Sequence, residues 1–248
     1  RLNKWLSQMG VCSRREADRL IEAGKVLVDN RPASMGQKVT PGQKVVCNGK
    51  MVRVDRSQRP RPVLLAVNKP KGIVCTTTDK DRAENIVDFL GYPERIYPVG
   101  RLDKDSEGLL LMTNQGDLVN KIMRSGNAHE KEYIVTIDKP VTERFLEQMA
   151  GGIRLPELDQ VTRPCKVKKV ERNTFSIILT QGLNRQIRRM CEACGCQVKR
   201  LVRVRIMNIR LGNLRTGAYR QITKEEYEEL TGLLKDSSSL SLKERKNQ

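Results

Sequence analysis

Tyr97-Pro98-Val99-Gly100-Arg101-Leu102-Asp103-Lys104-Asp105-Ser106-Glu107-Gly108-Leu109-Leu110-Leu111-Met112-Thr113-Asn114 is the stretch on which the reading of this chain turns. Pro98 and Gly100 punctuate a loop, and Gly108 closes it before an apolar run that predicts a buried strand. A loop set against a rigid strand is a usual place to hold catalytic groups. Arg101 and Asp103 are two apart, so in extended chain their side chains share a direction. Three readings compete. Asp103, Asp105, Glu107 and Gly108 fall on the first, third, fifth and sixth places of a calcium loop, but the twelfth place is Asn114, not the bidentate Glu, and a strand follows where a helix is needed. A solvated acidic turn is the plain alternative. The third is a site built on one carboxylate.

Composition narrows the partner. The 248 residues carry 47 Lys and Arg against 29 Asp and Glu, a net charge of +18. Residues 1–62 hold 14 basic against 5 acidic side chains, residues 181–222 hold 10 against 1, and residues 63–180 are nearly balanced at 18 against 17. Two basic blocks around a neutral body are the footprint of a nucleic-acid protein with two contact surfaces. No apolar run reaches membrane-span length and no signal peptide opens the sequence, so the expectation is a cytoplasmic protein without a membrane partner. The odd count of 7 Cys, without scaffold spacing, predicts free thiols.

Outward from the loop, Leu2, Trp5, Leu6 and Met9 fall at helical spacing up to Gly10. Ser13-Arg14-Arg15-Glu16 has capping-box spacing and opens a second helix over Ala17, Leu20 and Ile21, ending at Gly24. A short strand at 25–29 then stops at an Asp29-Asn30 turn. Lys4, Arg14, Arg15 and Arg19 on the polar side make a compact basic surface suited to phosphates. Residues 56–62, Arg-Ser-Gln-Arg-Pro-Arg-Pro, predict a linker. Residues 63–67 predict a buried strand closed by Asn68-Lys69-Pro70-Lys71-Gly72. Alternation from Tyr133 to Ile137 and the run 174–180 predict two more strands. Gly182-Leu183-Asn184-Arg185-Gln186-Ile187-Arg188-Arg189-Met190 predicts a glycine turn opening a helix, with Ile187 and Met190 inward and Arg185 sharing a face with Arg188 or Arg189. Cys191, Cys194 and Cys196 lack a fourth ligand and a second knuckle, so buried helix-end cysteines are expected rather than zinc. Residues 198–211 predict a strand with one basic face, carrying Lys199/Arg200, Arg203, Arg205 and Arg210. A short acidic helix at 223–234 and a disordered polar tail at 236–248 end the chain. His129, the single histidine, is expected to be structural.

Gly100-Arg101-Leu102-Asp103 followed by Ser106 to Asn114 resembles the signature of RNA pseudouridine synthases of the RsuA type. Asn68 to Gly72, Lys131-Glu132-Tyr133 and Gly182 to Met190 are similar to three further motifs of that family, and residues 1–29 resemble the S4 RNA-binding module. The resemblance implies an α+β protein: a small S4 domain with linker (1–61) and a pseudouridine synthase domain (62–235) on a mainly antiparallel mixed sheet. It implies Asp103 as the catalytic carboxylate, Tyr133 stacked on the target base, Arg188 in contact with Asp103, and Arg101 filling the gap left by a flipped nucleotide. Lys69, Asn184 and Arg185 are then RNA contacts, with Leu102 and Ile187 as apolar support.

Isomerising uridine leaves the atom balance unchanged, so neither cofactor nor metal is expected. No dinucleotide or phosphate-loop fingerprint is present. The carboxylate must stay ionised beside the sugar–base bond, which a guanidinium partner favours. The expected partner is structured RNA, a stem-loop of 23S large-subunit ribosomal RNA first and a tRNA second, met by a monomer. The rival is a non-catalytic S4-type RNA-binding or ribosome-assembly factor, which explains the charge but not the coincidence of Arg101, Asp103, Tyr133 and Arg188 with motif positions.

Overall fold

The computed structural model describes residues 1–52, 61–76 and 84–237. Of the expected linker only Arg61 and Pro62, and of the expected tail only Asp236 and Ser237, are among them. Two compact units form: Arg1–Val63 with the short segments Pro93–Arg95 and Asn114–Gly116, and the remainder from Leu64. Among the described residues no helix is long and apolar enough to cross a membrane.

The first unit holds α1 (Leu2–Gln8), α2 (Arg14–Glu22) and a sheet of β1 (Val26–Val28), β2 (Arg31–Pro32), β3 (Val45–Cys47) and β4 (Lys50–Val52), ordered β2-β1-β3-β4. Leu2, Trp5, Leu6, Ala17 and Ile21 bury the helix faces against Val26, Val28 and Val45. Ser13 Oγ accepts from the Glu16 N–H at 3.1 Å, which starts α2 where the capping pattern placed it. The Glu16 carboxylate turns instead to Arg19 at 2.6 Å. Asp29 and Asn30 both take positive φ, 51° and 65°, so the hairpin closes on two left-handed residues.

The second unit runs β5 (Leu64–Lys69), α3 (Ile86–Leu90), β6 (Tyr97–Pro98), β7 (Glu107–Thr113), α4 (Gly116–Met123), β8 (Lys131–Ile137), α5 (Glu143–Gly151), β9 (Arg154–Leu155), β10 (Gln160–Val161), β11 (Lys166–Glu171), β12 (Thr174–Leu179), α6 (Gln186–Ala193), β13 (Val198–Ile206), β14 (Ile209–Arg210), β15 (Tyr219–Gln221) and α7 (Lys224–Leu233). Its main sheet is ordered β11-β12-β8-β13-β7-β5-β15, with β6 on β7 and β14 on β13. Every neighbouring pair is antiparallel except β13 with β7. The sheet is therefore mixed and mainly antiparallel, as expected. Central β5 is buried along its whole length and β7 from Gly108 on, which is why both read as continuous apolar runs rather than as alternation. Side chains of α5 and α6 pack with β8, β12 and β13 in one core, and those of α4 and α7 with β5, β7 and the end of β13 in another.

Two features of this sheet position the site. Lys69, Gly108, Arg203 and Tyr133 stand in register across β5, β7, β13 and β8, so they form one row on one face. A Cβ on Gly108 would lie 2.4 Å from the Arg203 carbonyl oxygen, and its φ is +104°. Only glycine lets the two parallel strands approach that closely. The second feature is an irregularity in β13, where Arg203 pairs with Tyr133 but Arg205 with the adjacent Glu132. The extra residue rotates the strand, so Arg203 and Arg205 face opposite ways.

That bulge corrects the expected basic face on residues 198–211. Arg203 is buried, its Nε donating to the Leu109 carbonyl at 2.7 Å. Arg205 is held by Glu132 and Glu130 at 2.8 and 3.0 Å, and Arg200 pairs with Glu107. The alternation was real, but Arg200 and Arg205 are spent on carboxylates of the sheet and Arg203 is turned inward, so these three do not form one face open to phosphates.

Candidate active site

A cavity of about 330 Å³ opens over the Asp103 loop in the second unit. Three stretches far apart in sequence bring Arg101, Leu102, Asp103, Tyr133, Asn184, Arg185, Ile187 and Arg188 to its walls. Leu102 and Ile187 are buried, Asp103, Tyr133 and Arg188 half-buried, and Arg101, Asn184 and Arg185 exposed. Ser106 N–H closes a turn onto the Asp103 carbonyl at 3.0 Å, which presents the Asp103 side chain at the turn's entrance. The calcium reading ends here: Glu107 lies in a strand and pairs with Arg200.

The loop is held from behind by the Asn68–Gly72 segment. Gly72 N–H donates to the Lys104 carbonyl at 2.9 Å, and Leu102 N–H to Cys75 Sγ at 3.4 Å. Lys69 is corrected by the structure. It is fully buried at the end of β5, and its Nζ donates to the carbonyls of Pro70 and Ile73 at 2.7 and 2.9 Å. Lys69 therefore folds the segment that supports Asp103 instead of reaching RNA. Burial pushes its pKa down.

Arg188 approaches from α6. Its Nη2 donates to the Asp105 carbonyl at 3.0 Å and to Ser106 Oγ at 3.3 Å, while its Nε is buried without a partner. The expected ion pair with Asp103 is absent among the described residues; the guanidinium grips the turn that carries Asp103. Arg185 lies outside the helix as its N-cap, at φ 51°, so it does not share the helical face with Arg188. It reaches Asp105 at 3.6 Å. Asn184 accepts from Arg189 through its carbonyl and Oδ1, at 3.1 and 3.2 Å. Arg188→Lys is expected to lower turnover about tenfold to hundredfold, because an ammonium cannot hold the turn and also present a second edge to the cavity. Single-turnover rates at unchanged RNA affinity check this.

Sequence reasoning missed two residues on the cavity wall, Lys131 and Arg203. The signal was there: Lys131 is two residues before Tyr133 on one strand face, and Arg203 interrupts an apolar alternation. Elsewhere Cys194 is half-buried, short of the burial expected of all three helix-end cysteines. Cys191 and Cys196 are buried at the end of α6, where burial raises both thiol pKa values. His129 bonds Ser237 Oγ at 2.8 Å and is lowered by burial, away from the cavity. In the first unit Arg14, Arg15 and Arg19 are exposed along α2 and Lys4 is half-buried on α1.

A half-buried carboxylate on a turn, a tyrosine and guanidinium groups lining one cavity on a mixed sheet are the groups that an enzyme modifying a nucleic-acid base requires. Residues 63–193 match the RNA pseudouridylate synthase family and residues 1–45 the S4 domain. The chain belongs to the RNA pseudouridine synthase family. It is 52% identical over 239 residues to the dual-specificity RNA pseudouridine synthase RluF of Escherichia coli (strain K12), covering 96% of this chain and 81% of that protein. It is 36% identical over 241 residues to the ribosomal large subunit pseudouridine synthase B of Bacillus subtilis (strain 168), covering 94% and 96%. A crystal structure of a pseudouridylate synthase superposes with a TM-score of 0.68 at 27% identity, covering 93% of this chain and 99% of the other.

Proposed function

We propose that this pseudouridine synthase acts on a uridine in a stem-loop of 23S ribosomal RNA and, as a second substrate, on a tRNA. The observation that carries the assignment of roles is the convergence of Arg101, Asp103, Tyr133 and Arg188 on one cavity. The names borne by the two curated relatives, one dual-specificity and one ribosomal large subunit, support the choice of RNA.

A uracil stacked in a stem cannot reach a turn on the wall of a cavity, so the nucleotide must be extruded, at a cost of a few kcal/mol. Arg101, exposed at the rim, fills the gap in the stem and offsets part of that cost by stacking. Tyr133 offers the extruded base a flat face and a hydroxyl. Asp103 meets the sugar as nucleophile or as partner of a cationic C1′. Arg188 positions Asp103 through the Asp105–Ser106 turn. Leu102 and Ile187 close the cavity's apolar side, and Asn184 and Arg185 meet the RNA backbone at its edge. Residues 1–61 act as a separate grip through Lys4, Arg14, Arg15 and Arg19, residues 62–235 as the catalytic domain, and the protein works as a cytoplasmic monomer.

The test uses a 23S transcript made with uridine tritiated at C5. Isomerisation at one site releases one tritium per transcript to water, whereas a ribosome-assembly factor that only binds releases none. A tRNA transcript labelled in the same way tests the second substrate.

A further inference from the structure

Three cations lie buried beneath the cavity without a carboxylate partner. Lys69, Lys131 and Arg203 are 0%, 7% and 2% exposed, and among the described residues none joins an ion pair. Lys69 is satisfied by two carbonyls. The other two are not, and both line the cavity. Arg203 spends Nε on Leu109 and makes a long 3.5 Å contact from Nη1 to the Arg101 carbonyl, leaving Nη2 buried with no acceptor. Lys131 makes one long contact, 3.4 Å to the His129 carbonyl, so most of its donor capacity is unused. Two like charges in adjacent positions, buried and under-bonded, are expensive unless something anionic or carbonyl-rich completes them.

The β13 bulge makes this arrangement. It turns Arg203 to the face that carries Tyr133 and Lys131, and sends Arg205 to the opposite face, where Glu130 and Glu132 neutralise it. Of two arginines two residues apart, the one without a counter-ion is the one aimed at the cavity.

We infer that Lys131 and Arg203 receive the carbonyl edge of the extruded uracil and stabilise the negative charge on the base as the glycosidic bond breaks. The inference rests on the pseudouridine synthase reading of this cavity. When the C1′–N1 bond breaks, its electron pair stays with the base and spreads over N1, O2 and O4, while C1′ is taken or shielded by the Asp103 carboxylate. The base then rejoins C1′ through C5, Asp103 is freed, and the C5 proton passes to solvent as N1 gains one. No oxidant or further reactant enters. Donor-only groups held dry at the carbonyl oxygens stabilise the charge that develops in this step. They also select uracil over cytosine, whose exocyclic amino group would meet donors with donors.

The charged and titratable groups that line the cavity with Lys131 are Arg203 on β13, Asp103 and Arg101 on the loop, Tyr133 on its own strand, Arg185 before α6 and Arg188 on α6. Burial, with Arg203 beside it, lowers the Lys131 pKa to about 8. The ammonium is therefore charged below pH 8 and lost above it, so its contribution to rate falls as pH rises.

The experiment compares wild type with Lys131→Met, at subsaturating enzyme, by tritium release from the labelled 23S transcript between pH 6.5 and about 9.5, together with RNA affinity and melting temperature. The expected deficit of Lys131→Met at pH 7 is about 10²-fold, the size found when one donor to a developing oxyanion is removed. RNA affinity stays within about threefold, because grip is spread over many phosphates. The ratio of wild type to variant then shrinks about tenfold or more by pH 9.5, as Lys131 in the wild type loses its proton. Titration of the RNA itself cancels in the ratio. A variant within threefold of wild type at pH 7, or a ratio that stays constant across the range, overturns the inference while the enzyme assignment stands. No release by wild type overturns both. If Lys131→Met melts lower than wild type, Lys131→Gln replaces it, and a Lys131→Gln rate within threefold of wild type at pH 7 overturns the inference.

Discussion

Asp103→Asn is expected to end tritium release from C5-labelled RNA, a loss of at least about 10³-fold, or about 4 kcal/mol of barrier. Asn keeps the size and the polar surface of Asp, so the turn closed by Ser106 N–H onto the Asp103 carbonyl survives, because that bond uses backbone only. The grip of Arg188 on Asp105 and Ser106 also survives, since neither partner is changed. What disappears is the negative charge that takes or shields C1′. RNA affinity is expected to stay within about tenfold of wild type, because the contacts that bind are many and dispersed. Filter binding beside single-turnover tritium release separates the two quantities. An Asp103→Asn protein that still made product would remove Asp103 from its role and leave the chemistry at C1′ to another group of the cavity.

Gly108→Ala should be the most damaging single methyl in the catalytic unit. The added Cβ would sit 2.4 Å from the Arg203 carbonyl oxygen and 2.7 Å from its amide nitrogen, both backbone atoms in a central strand, at a φ of +104°. Overpacking of a core typically costs 1–3 kcal/mol and a non-glycine residue at such a φ a further 1–3, so about 4 kcal/mol is expected, or roughly 10 °C in melting temperature. Damage would not stop at stability. Spreading β7 from β13 moves the end of the Asp103 turn on one strand and Arg203 on the other, so residual folded protein should turn over slowly. Thermal melts and tritium release on the same preparation check both effects. Gly100→Ala is a useful contrast, since its Cβ would meet the end of the flexible Met123 side chain, which can move aside.

These two expectations draw on different kinds of information. Asp103 was legible as a candidate only through the resemblance of the motifs around it to those of the family, since the loop's own composition left a calcium loop and a solvated acidic turn open; the structure places it on the cavity wall. The S4 helices were legible from local chemistry: the Ser13 cap, the spacing of Leu2, Trp5 and Leu6, and the glycines that end each helix act over a few residues. The buried strands read at 63–67 and after Gly108 announced themselves because burial on both faces leaves no room for alternation.

The partners of the charges were not legible. A run of arginines looks the same whether it faces phosphates, a carboxylate or the inside of the sheet. Lys69 was read as an RNA contact and lies at 0% exposure, bonded to two carbonyls. Arg203 and Arg205 were read as one basic face, and a single extra residue in β13 separates them. Arg188 was expected on Asp103 and holds the neighbouring turn instead.

The amino-acid sequence by itself determined which elements form and where the basic blocks lie, because each of those depends on neighbours along the chain. Tertiary structure alone decided which cations are spent on carbonyls and carboxylates and which remain under-bonded at the cavity. That outcome depends on strand register and on a bulge, and these are settled by residues more than 60 positions apart coming into line, as Tyr133 and Arg203 do.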